Sequence, residues 1–107
     1  MKRYLITKWS GEFRFEKEPM TSEEIKEFVE ENRKDKTDYL YSSSTIDSLE
    51  DAKAVFEAAQ KHLSITEYPS NKVMVIPWLT LVAEEVDEDG EITPLGRWTE
   101  EYYPKKT

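Results

Sequence analysis

The sequence contains no cysteine, a single histidine and only three glycines. A chain without cysteine has no disulfide framework, no thiol nucleophile and no zinc–thiolate site. The glycines, Gly11, Gly90 and Gly96, are too scattered to form a loop that cradles phosphate groups. These absences exclude thiol enzymes, thiolate metal sites and glycine-loop nucleotide binders.

The single histidine, His62, gives little support for catalysis. A Ser–His–Asp arrangement is formally available with Ser42, Ser43 or Ser44, but no nucleophile-elbow pattern surrounds these serines. His62 falls in the last turn of a predicted helix, where a partly cationic side chain interacts favourably with the helix dipole. We therefore predict no catalytic residue, no cofactor and no metal, since one histidine and no cysteine also suit a transition metal poorly.

Long apolar runs are also missing. No segment approaches the ~18 apolar residues that a membrane span requires, and the apolar part of the opening MKRYLITKW is too short for a signal peptide. We expect a soluble protein, and the lack of cysteine fits the cytoplasm.

What the chain does contain is negative charge. Its 107 residues, enough for one domain with its own core, include 23 acidic and 15 basic side chains, for a formal net charge of −8. Such a surface is repelled by nucleic acid phosphates and anionic membranes. The basic clusters ENRKDK (31–36) and YPKKT (103–107) are small. We expect no direct binding to nucleic acid or membrane, and a basic protein surface as the partner.

The clearest local signal is PMTSEEIKEFVEENRK, which predicts a helix over residues 22–33. Thr21 as N-cap and Glu24 three residues later form a capping box, and Met20 and Ile25 have the spacing of a hydrophobic staple. The expected apolar face comprises Ile25, Phe28, Val29 and Asn32. The opposite face carries four glutamates, Glu23, Glu27, Glu30 and Glu31.

The segment IDSLEDAKAVFEAAQKHL predicts a second helix, with Asp47 or Ser48 as its cap. Its apolar positions recur at helical spacing and predict a face packed on the core. They are Leu49, Ala52, Phe56, Ala59 and Leu63, with Val55 widening the stripe.

The remaining apolar segments alternate as strands do. Two runs on either side of Ser10-Gly11 predict an N-terminal hairpin, and TDYLYSSST (37–45) is either a strand or a loop. VMVIPWLTLVAEEV predicts a central strand, or two strands broken near Pro77, because proline cannot donate to a ladder and marks an edge or bulge. Trp98 begins a final strand.

These elements predict an α+β domain over residues 1–107 in the order β-β-α-(β)-α-β-β. We expect an antiparallel sheet of about four strands with two helices packed on one face.

The stretch AEEVDEDGEI (83–92) is the most chemically suggestive. With Gly90 at position six of an EF-hand loop, Gly96 falls at position twelve, which requires a bidentate Glu. The pair Asp89-Gly90 instead favours the type I′ turn of a hairpin. Six carboxylates surround this turn: Glu84, Glu85, Asp87, Glu88, Asp89 and Glu91.

The two acidic clusters have two interpretations. They either solvate the surface and discourage strand edges from pairing, or they engage a basic partner. Aromatic residues near the C-terminus, Trp98 and the pair Tyr102-Tyr103, are either core or interface anchors. Adjacent residues of a strand point to opposite faces, so we expect one of the two tyrosines to be exposed.

Three functions remain open. The first is a small acidic inhibitor that occupies a basic, nucleic-acid-binding surface of a larger protein such as a nucleic-acid-handling enzyme. In size, charge and missing catalytic motifs the chain is similar to phage anti-CRISPR proteins and DNA mimics, which is an analogy of class. The second is a regulatory or scaffold module that oligomerises through a sheet edge or aromatic patch. The third is a small carboxylate-based enzyme or ligand-binding domain. We favour the first, as a monomer or small homo-oligomer.

Overall fold

The computed structural model describes residues 1–32, 40–95 and 99–106. Within these ranges the chain forms two α-helices and one antiparallel sheet of six strands. In chain order the elements are β1 (Lys2–Arg14), α1 (Ser22–Asn32), β2 (Leu40–Ile46), α2 (Leu49–Gln60), β3 (Thr66–Tyr68), a 3₁₀ turn (Pro69–Asn71), β4 (Val73–Val86), β5 (Ile92–Pro94) and β6 (Glu100–Tyr102). The α+β class and the antiparallel sheet are confirmed.

A long ribbon of β1 and β4 is the centre of the sheet. The two strands pair in one unbroken register, from Lys2 opposite Glu85 to Arg14 opposite Val73. The second edge of β1 pairs with β2, and the second edge of β4 pairs with the three short strands β3, β6 and β5. These short strands raise the count from the predicted four to six.

The predicted N-terminal hairpin is wrong. β1 runs straight through Ser10 and Gly11, which lie opposite Pro77 and Ile76 of β4. The physical reason is the length of β4, which extends for 14 residues, most of them apolar, and offers β1 a partner along its whole length. The observed order is therefore β-α-β-α-β-β-β-β, because the two expected N-terminal strands are one.

Pro77 does not break β4. The backbone carbonyls of Leu81 and Ala83 accept bonds from Thr99 (2.8 Å) and Leu95 (2.9 Å), on the edge away from β1. Pro77 is odd-numbered like Leu81 and Ala83, so its backbone groups face the same edge. The N–H that it lacks would point into the gap between β3 and β6. No ladder bond to β1 is lost, which is how a proline fits a central strand.

The two helices pack on opposite faces of the sheet, so the prediction of one shared face is wrong. The first core cluster joins α1 to one face of the ribbon: Phe13, Ile25, Val29, Met74, Ile76, Trp78 and Tyr103. The second cluster joins α2 to the other face, at the other end of the ribbon: Ile6, Ala52, Phe56, Leu79 and Leu81. Strand residues of the two clusters differ in parity, and successive side chains of a strand alternate between faces.

Local helix signals are largely confirmed. The backbone N–H of Glu24 donates to Thr21 Oγ1, and the N–H of Thr21 donates to Glu24 Oε1, both at 3.1 Å, which completes the capping box. Ser48 is the cap of α2, accepting from the N–H of Asp51 at 3.3 Å. In α2 only part of the predicted stripe is in the core, since Leu49 and Val55 are 40% and 44% exposed.

The segment 37–45, left open between strand and loop, contains most of β2 from its first residue, Leu40. Residue 33, the predicted end of α1, and Tyr39 lie outside the described residues. Neither helix of the described chain has the length and apolarity that crossing a bilayer demands.

Candidate interaction surfaces

The solvent side of α1 carries the predicted row of glutamates. Glu23, Glu27 and Glu31 are exposed, and Glu30 is half-buried. The opposite side of the helix is anchored by Ile25 and Val29, both 0% exposed. Among the described residues, none of these four carboxylates forms an ion pair. We call Glu23, Glu27, Glu30 and Glu31 the α1 acidic surface.

A shallow groove of about 170 Å³ runs beside this surface. Carboxylates of α1 meet the half-buried ring of Phe28 there, so the groove combines negative charge with apolar area. Its full lining is Lys17, Glu18, Pro19, Glu24, Glu27, Phe28 and Glu31. A long basic side chain, with its apolar stem and charged head, matches such a lining.

The carboxylate of Glu24 has a structural role in addition to lining the groove. Its hydrogen bond from the backbone N–H of Thr21 favours the ionised form and lowers its pKa, assisted by the Thr21 hydroxyl. The negative charge also lies in the first turn, where the helix dipole favours it. Glu24 therefore fixes the start of α1.

The acidic stretch between β4 and β5 is a hairpin turn, as predicted, but not of type I′. The carbonyl of Asp87 accepts from the Gly90 N–H at 3.0 Å, and Val86 lies opposite Ile92. In the described turn only Gly90 has positive φ, at 82°, whereas a type I′ turn needs two such residues. A three-residue loop that ends in a left-handed glycine fits this geometry.

Half of the hairpin carboxylates have structural partners. Asp87 Oδ1 accepts from the N–H groups of Asp89 (2.9 Å) and Glu91 (2.8 Å). Glu85 Oε1 lies 2.8 Å from the amino group of Met1, and Glu84, 7% exposed, lies 3.6 Å from Arg3.

The basic start of β1 thus lies in register opposite the acidic end of β4. This pairing accounts for Glu84 and Glu85, and the backbone bonds of the turn account for Asp87, so half of the six carboxylates have partners without a ligand. The carboxylates that remain exposed and without such partners in the described structure are Glu88, Asp89 and Glu91.

The α1 acidic surface and the hairpin do not form one site. α1 packs near Phe13 and Met74 at one end of the ribbon, whereas the hairpin follows Val86 at the other. At ~3.3 Å per residue, the strand between them spans roughly 40 Å, in a molecule whose longest dimension is 53 Å. The two clusters are therefore too far apart to belong to one interface of ordinary size.

The C-terminal aromatic residues are part of the core in the described structure. Tyr103 is 4% exposed and stacks on Trp78 at 6.2 Å, while the partly buried Tyr102 packs against the cluster around α2. The expectation that one of the two tyrosines is exposed is wrong, because each packs against a different core cluster, one on each face of the sheet. Trp98 lies outside the described residues.

Sequence inspection missed a second groove, of about 400 Å³, between α2 and β6. It is lined by Lys53, Phe56, Glu57, Gln60, Glu100 and Glu101. Glu101 accepts a hydrogen bond from the Tyr103 hydroxyl at 2.8 Å. The signal was the acidic pair at 100–101, but its proximity to α2 depends on strand order, which the local pattern does not give.

Residues considered for metal binding and catalysis do not come together in the described structure. Across residues 1–32, 40–95 and 99–106, no three His, Asp or Glu side chains are arranged to hold a metal ion. His62 is exposed just after α2, and Ser42, Ser43 and Ser44 are exposed on β2. No hydrogen bond of the described residues links His62 to these serines.

Comparison with protein-family models, curated proteins and solved structures gives no match. The function is therefore inferred from this chain's own residues.

Proposed function

We propose that the protein is a small acidic binding module that occupies a basic surface of a larger protein, acting as an inhibitor where that surface binds nucleic acid. The observation that supports this most is the α1 acidic surface, whose four glutamates form no ion pair within the described residues, beside a groove lined by Phe28. The exposed hairpin residues Glu88, Asp89 and Glu91 are a weaker, separate candidate.

The spacing of the glutamates suits a surface that normally binds nucleic acid. Glu23, Glu27 and Glu31 follow each other at four-residue intervals, so their Cα atoms rise about 6 Å per step on one side of α1. A nucleic acid strand carries one charge per ~3.4 Å. The glutamates of α1 thus form a line of negative charges, as the phosphates of a nucleic acid strand do, but with fewer charges per unit length. Lys26 interrupts it from within the same helix.

The groove adds a way to discriminate among basic partners. An arginine can lay its stem along Phe28 while its guanidinium pairs with Glu27 or Glu31. Arginine forms bidentate pairs with carboxylates and stacks on aromatic rings, which lysine does less well. We expect arginine-rich surfaces to bind more tightly than lysine-rich surfaces of equal charge.

α1 is well held for such a role. Its first turn is fixed by the reciprocal bonds between Thr21 and Glu24, and Ile25 and Val29 are fully buried. A surface that is ordered before binding loses less conformational entropy on association. The glutamates therefore meet a partner from a fixed backbone.

The test compares two variants of equal charge. Glu23, Glu27 and Glu31 are all changed to Lys in one, and Glu88, Asp89 and Glu91 in the other. All six side chains are exposed, so both variants should fold, which circular dichroism and melting check. Each is immobilised beside the wild type and exposed to the same lysate. Bound proteins are quantified, and the main partner is then titrated at ~50 and ~200 mM salt.

We expect the α1 variant to lose about tenfold or more in affinity, equivalent to ~1.4 kcal/mol, and the hairpin variant to lose much less. Wild-type affinity should fall as salt rises, mainly through slower association. Equal losses in both variants would mean that only net charge matters. Unchanged binding in both would mean that the acidic residues only solvate the surface, contrary to the proposal.

A further inference from the structure

The outer edge of β2 is the second feature that points to a partner. In the order β2-β1-β4-β3, β2 is a terminal strand, and no other strand of the described chain pairs with its outer side. We infer that this edge pairs with β2 of a second copy of the chain, in an antiparallel two-fold dimer. This inference does not depend on the function of the α1 acidic surface.

The direction of the backbone groups follows from the register. Odd residues at the two ends of β1 bond to β4, since Met1 O accepts from Val86 and the N–H of Phe15 donates to Lys72 O. Even residues of β1 therefore face β2, and their partners on β2 are also even. The odd residues of β2, namely Tyr41, Ser43 and Thr45, direct their N–H and C=O groups away from β1.

β2 lacks the features that normally keep an edge strand from pairing. Natural edges carry lysine, proline or a bulge, but LYSSSTI contains no charged residue, no proline and no glycine. Its register with β1 is unbroken from Tyr4 opposite Ile46 to Ser10 opposite Leu40, so there is no bulge. Ser42, Ser43, Ser44 and Thr45 are all exposed. Within the described chain this edge is therefore unpaired, free of bulges and uncharged.

Charge favours a second copy as the occupant. Two molecules of net charge −8 repel each other wherever their acidic surfaces meet. β6 contains Glu100 and Glu101 and β3 contains Glu67, whereas β2 has no charge to repel its own copy. Small hydroxyl side chains also pair across strands without clashing and can hydrogen-bond. A basic partner would gain no charge attraction at β2 and would be drawn to the acidic surfaces.

The geometry also predicts a register. With the two-fold axis at Ser43, this residue lies opposite the partner's Ser43, and Tyr41 lies opposite the partner's Thr45. Each of these residue pairs exchanges two backbone hydrogen bonds. All outward N–H and C=O groups of β2 then have a partner in the second copy. One short strand pair buries little area compared with a standard interface. The dimer should therefore be weak and depend on protein concentration.

Because the chain has no cysteine, single-cysteine variants report this register directly. In the Ser43→Cys variant the two Cα atoms of the dimer lie about 5.5 Å apart, within the range of a disulfide. In the Ser42→Cys variant the distance is about 8 Å, beyond that range. Ser42 is equally exposed and one position away, so it is a matched control. Both variants are treated with diamide at several protein concentrations, and cross-linking is followed on non-reducing gels.

We expect the Ser43→Cys variant to cross-link at least about fivefold faster than the Ser42→Cys variant. Sedimentation of the wild type between ~10 µM and ~1 mM should show increasing dimer, in the affinity range of a small interface. The Ser43→Lys change should remove this dimer by placing two like charges opposite each other, while Ser70→Lys, in the 3₁₀ turn, should not. Equal cross-linking rates, or a wild type that stays monomeric at the highest concentration, would overturn the inference.

Discussion

The two ends of the β1–β4 ribbon carry cores of different kinds. At the α1 end the core is rich in aromatic rings: the ring centroid of Trp78 lies 6.3 Å from those of Trp9 and Phe13 and 6.2 Å from that of Tyr103. The ring of Phe28 meets that of Phe13 edge-on, with centroids 5.8 Å apart. At the α2 end it is mainly aliphatic, with Phe56 of α2 packed among Ile6, Leu79 and Leu81. Strands β1 and β4 contribute residues to both cores.

The division of the ribbon between two helices explains how a polar chain of 37% hydrophobic residues forms two cores. Each helix covers one face over about half of the ribbon, so each helix needs few buried residues. Ile25 and Val29 are the buried residues of α1, and Ala52 and Phe56 are those of α2. β4 must be apolar on both faces, because it crosses from one core to the other.

The largest expected effect concerns the centre of the aromatic core. Trp78→Ala removes a side chain that is 1% exposed and contacts three other rings. We expect a loss of about 4–5 kcal/mol in the free energy of unfolding, the upper part of the range for buried aromatic residues. Urea denaturation measures it.

Phe56→Ala tests the other core. Phe56 is 4% exposed, and its removal should cost about 3–4 kcal/mol. A loss below about 1 kcal/mol would mean that α2 contributes little packing. If Phe56→Ala proves more damaging than Trp78→Ala, the aliphatic end is the more important core, contrary to our ranking.

A smaller effect separates the two helix caps. Thr21→Ala disrupts the capping box, in which Thr21 and Glu24 exchange two hydrogen bonds. Ser48→Ala removes a single hydrogen bond, which the N–H of Asp51 donates to the Ser48 hydroxyl at 3.3 Å. Both should destabilise by about 0.5–2 kcal/mol, with the larger value for Thr21. Thermal melts of the two variants under one condition give the comparison, and equal losses would show that the second bond of the box adds nothing.

The smallest effect is a pH dependence confined to α1. The pKa of Glu24 is lowered in the folded protein, so its ionised carboxylate stabilises the fold. This contribution to the free energy of unfolding is present above the ordinary pKa of 4.5 and is lost as pH falls through the lower folded value. Glu24→Gln keeps an acceptor in the capping box and cannot titrate. We expect the wild type to be the more stable at pH ~6, with the difference shrinking below pH ~4.5. A difference that does not change with pH would contradict this role of Glu24.

Sequence patterns predicted the elements that depend on neighbouring residues. The capping box of Thr21 and Glu24 and the turn containing Gly90 are set within a few positions, and both formed where expected. The continuous β1 was missed because the turn-like Ser10-Gly11 is overridden by pairing with residues about 65 positions away. The prediction that both helices share one face of the sheet was wrong for the same reason. Odd and even positions show which face a side chain lies on only when the strand is known to be continuous.

The candidate site divides in the same way. The α1 acidic surface follows from helical periodicity, and in the structure Glu23, Glu27 and Glu31 are exposed whereas Glu30 is half-buried. At the hairpin, by contrast, Glu84 and Glu85 contact Arg3 and the Met1 amino group, which are distant in sequence. No local pattern shows that these carboxylates already have partners. Composition thus overstated the acidity available for binding at the hairpin.

The central ribbon also has a consequence for how the protein folds. Partners in β1 and β4 are separated by between about 60 residues (Arg14 and Val73) and about 80 residues (Lys2 and Glu85), so closing the ribbon is costly in chain entropy. During synthesis β1 can pair with β2 well before β4 has been made. Until β4 arrives, the apolar side chains of β1 lack their final cover, and such intermediates are prone to aggregation. We therefore expect slow refolding, limited by the docking of β4, and a high yield only at low protein concentration.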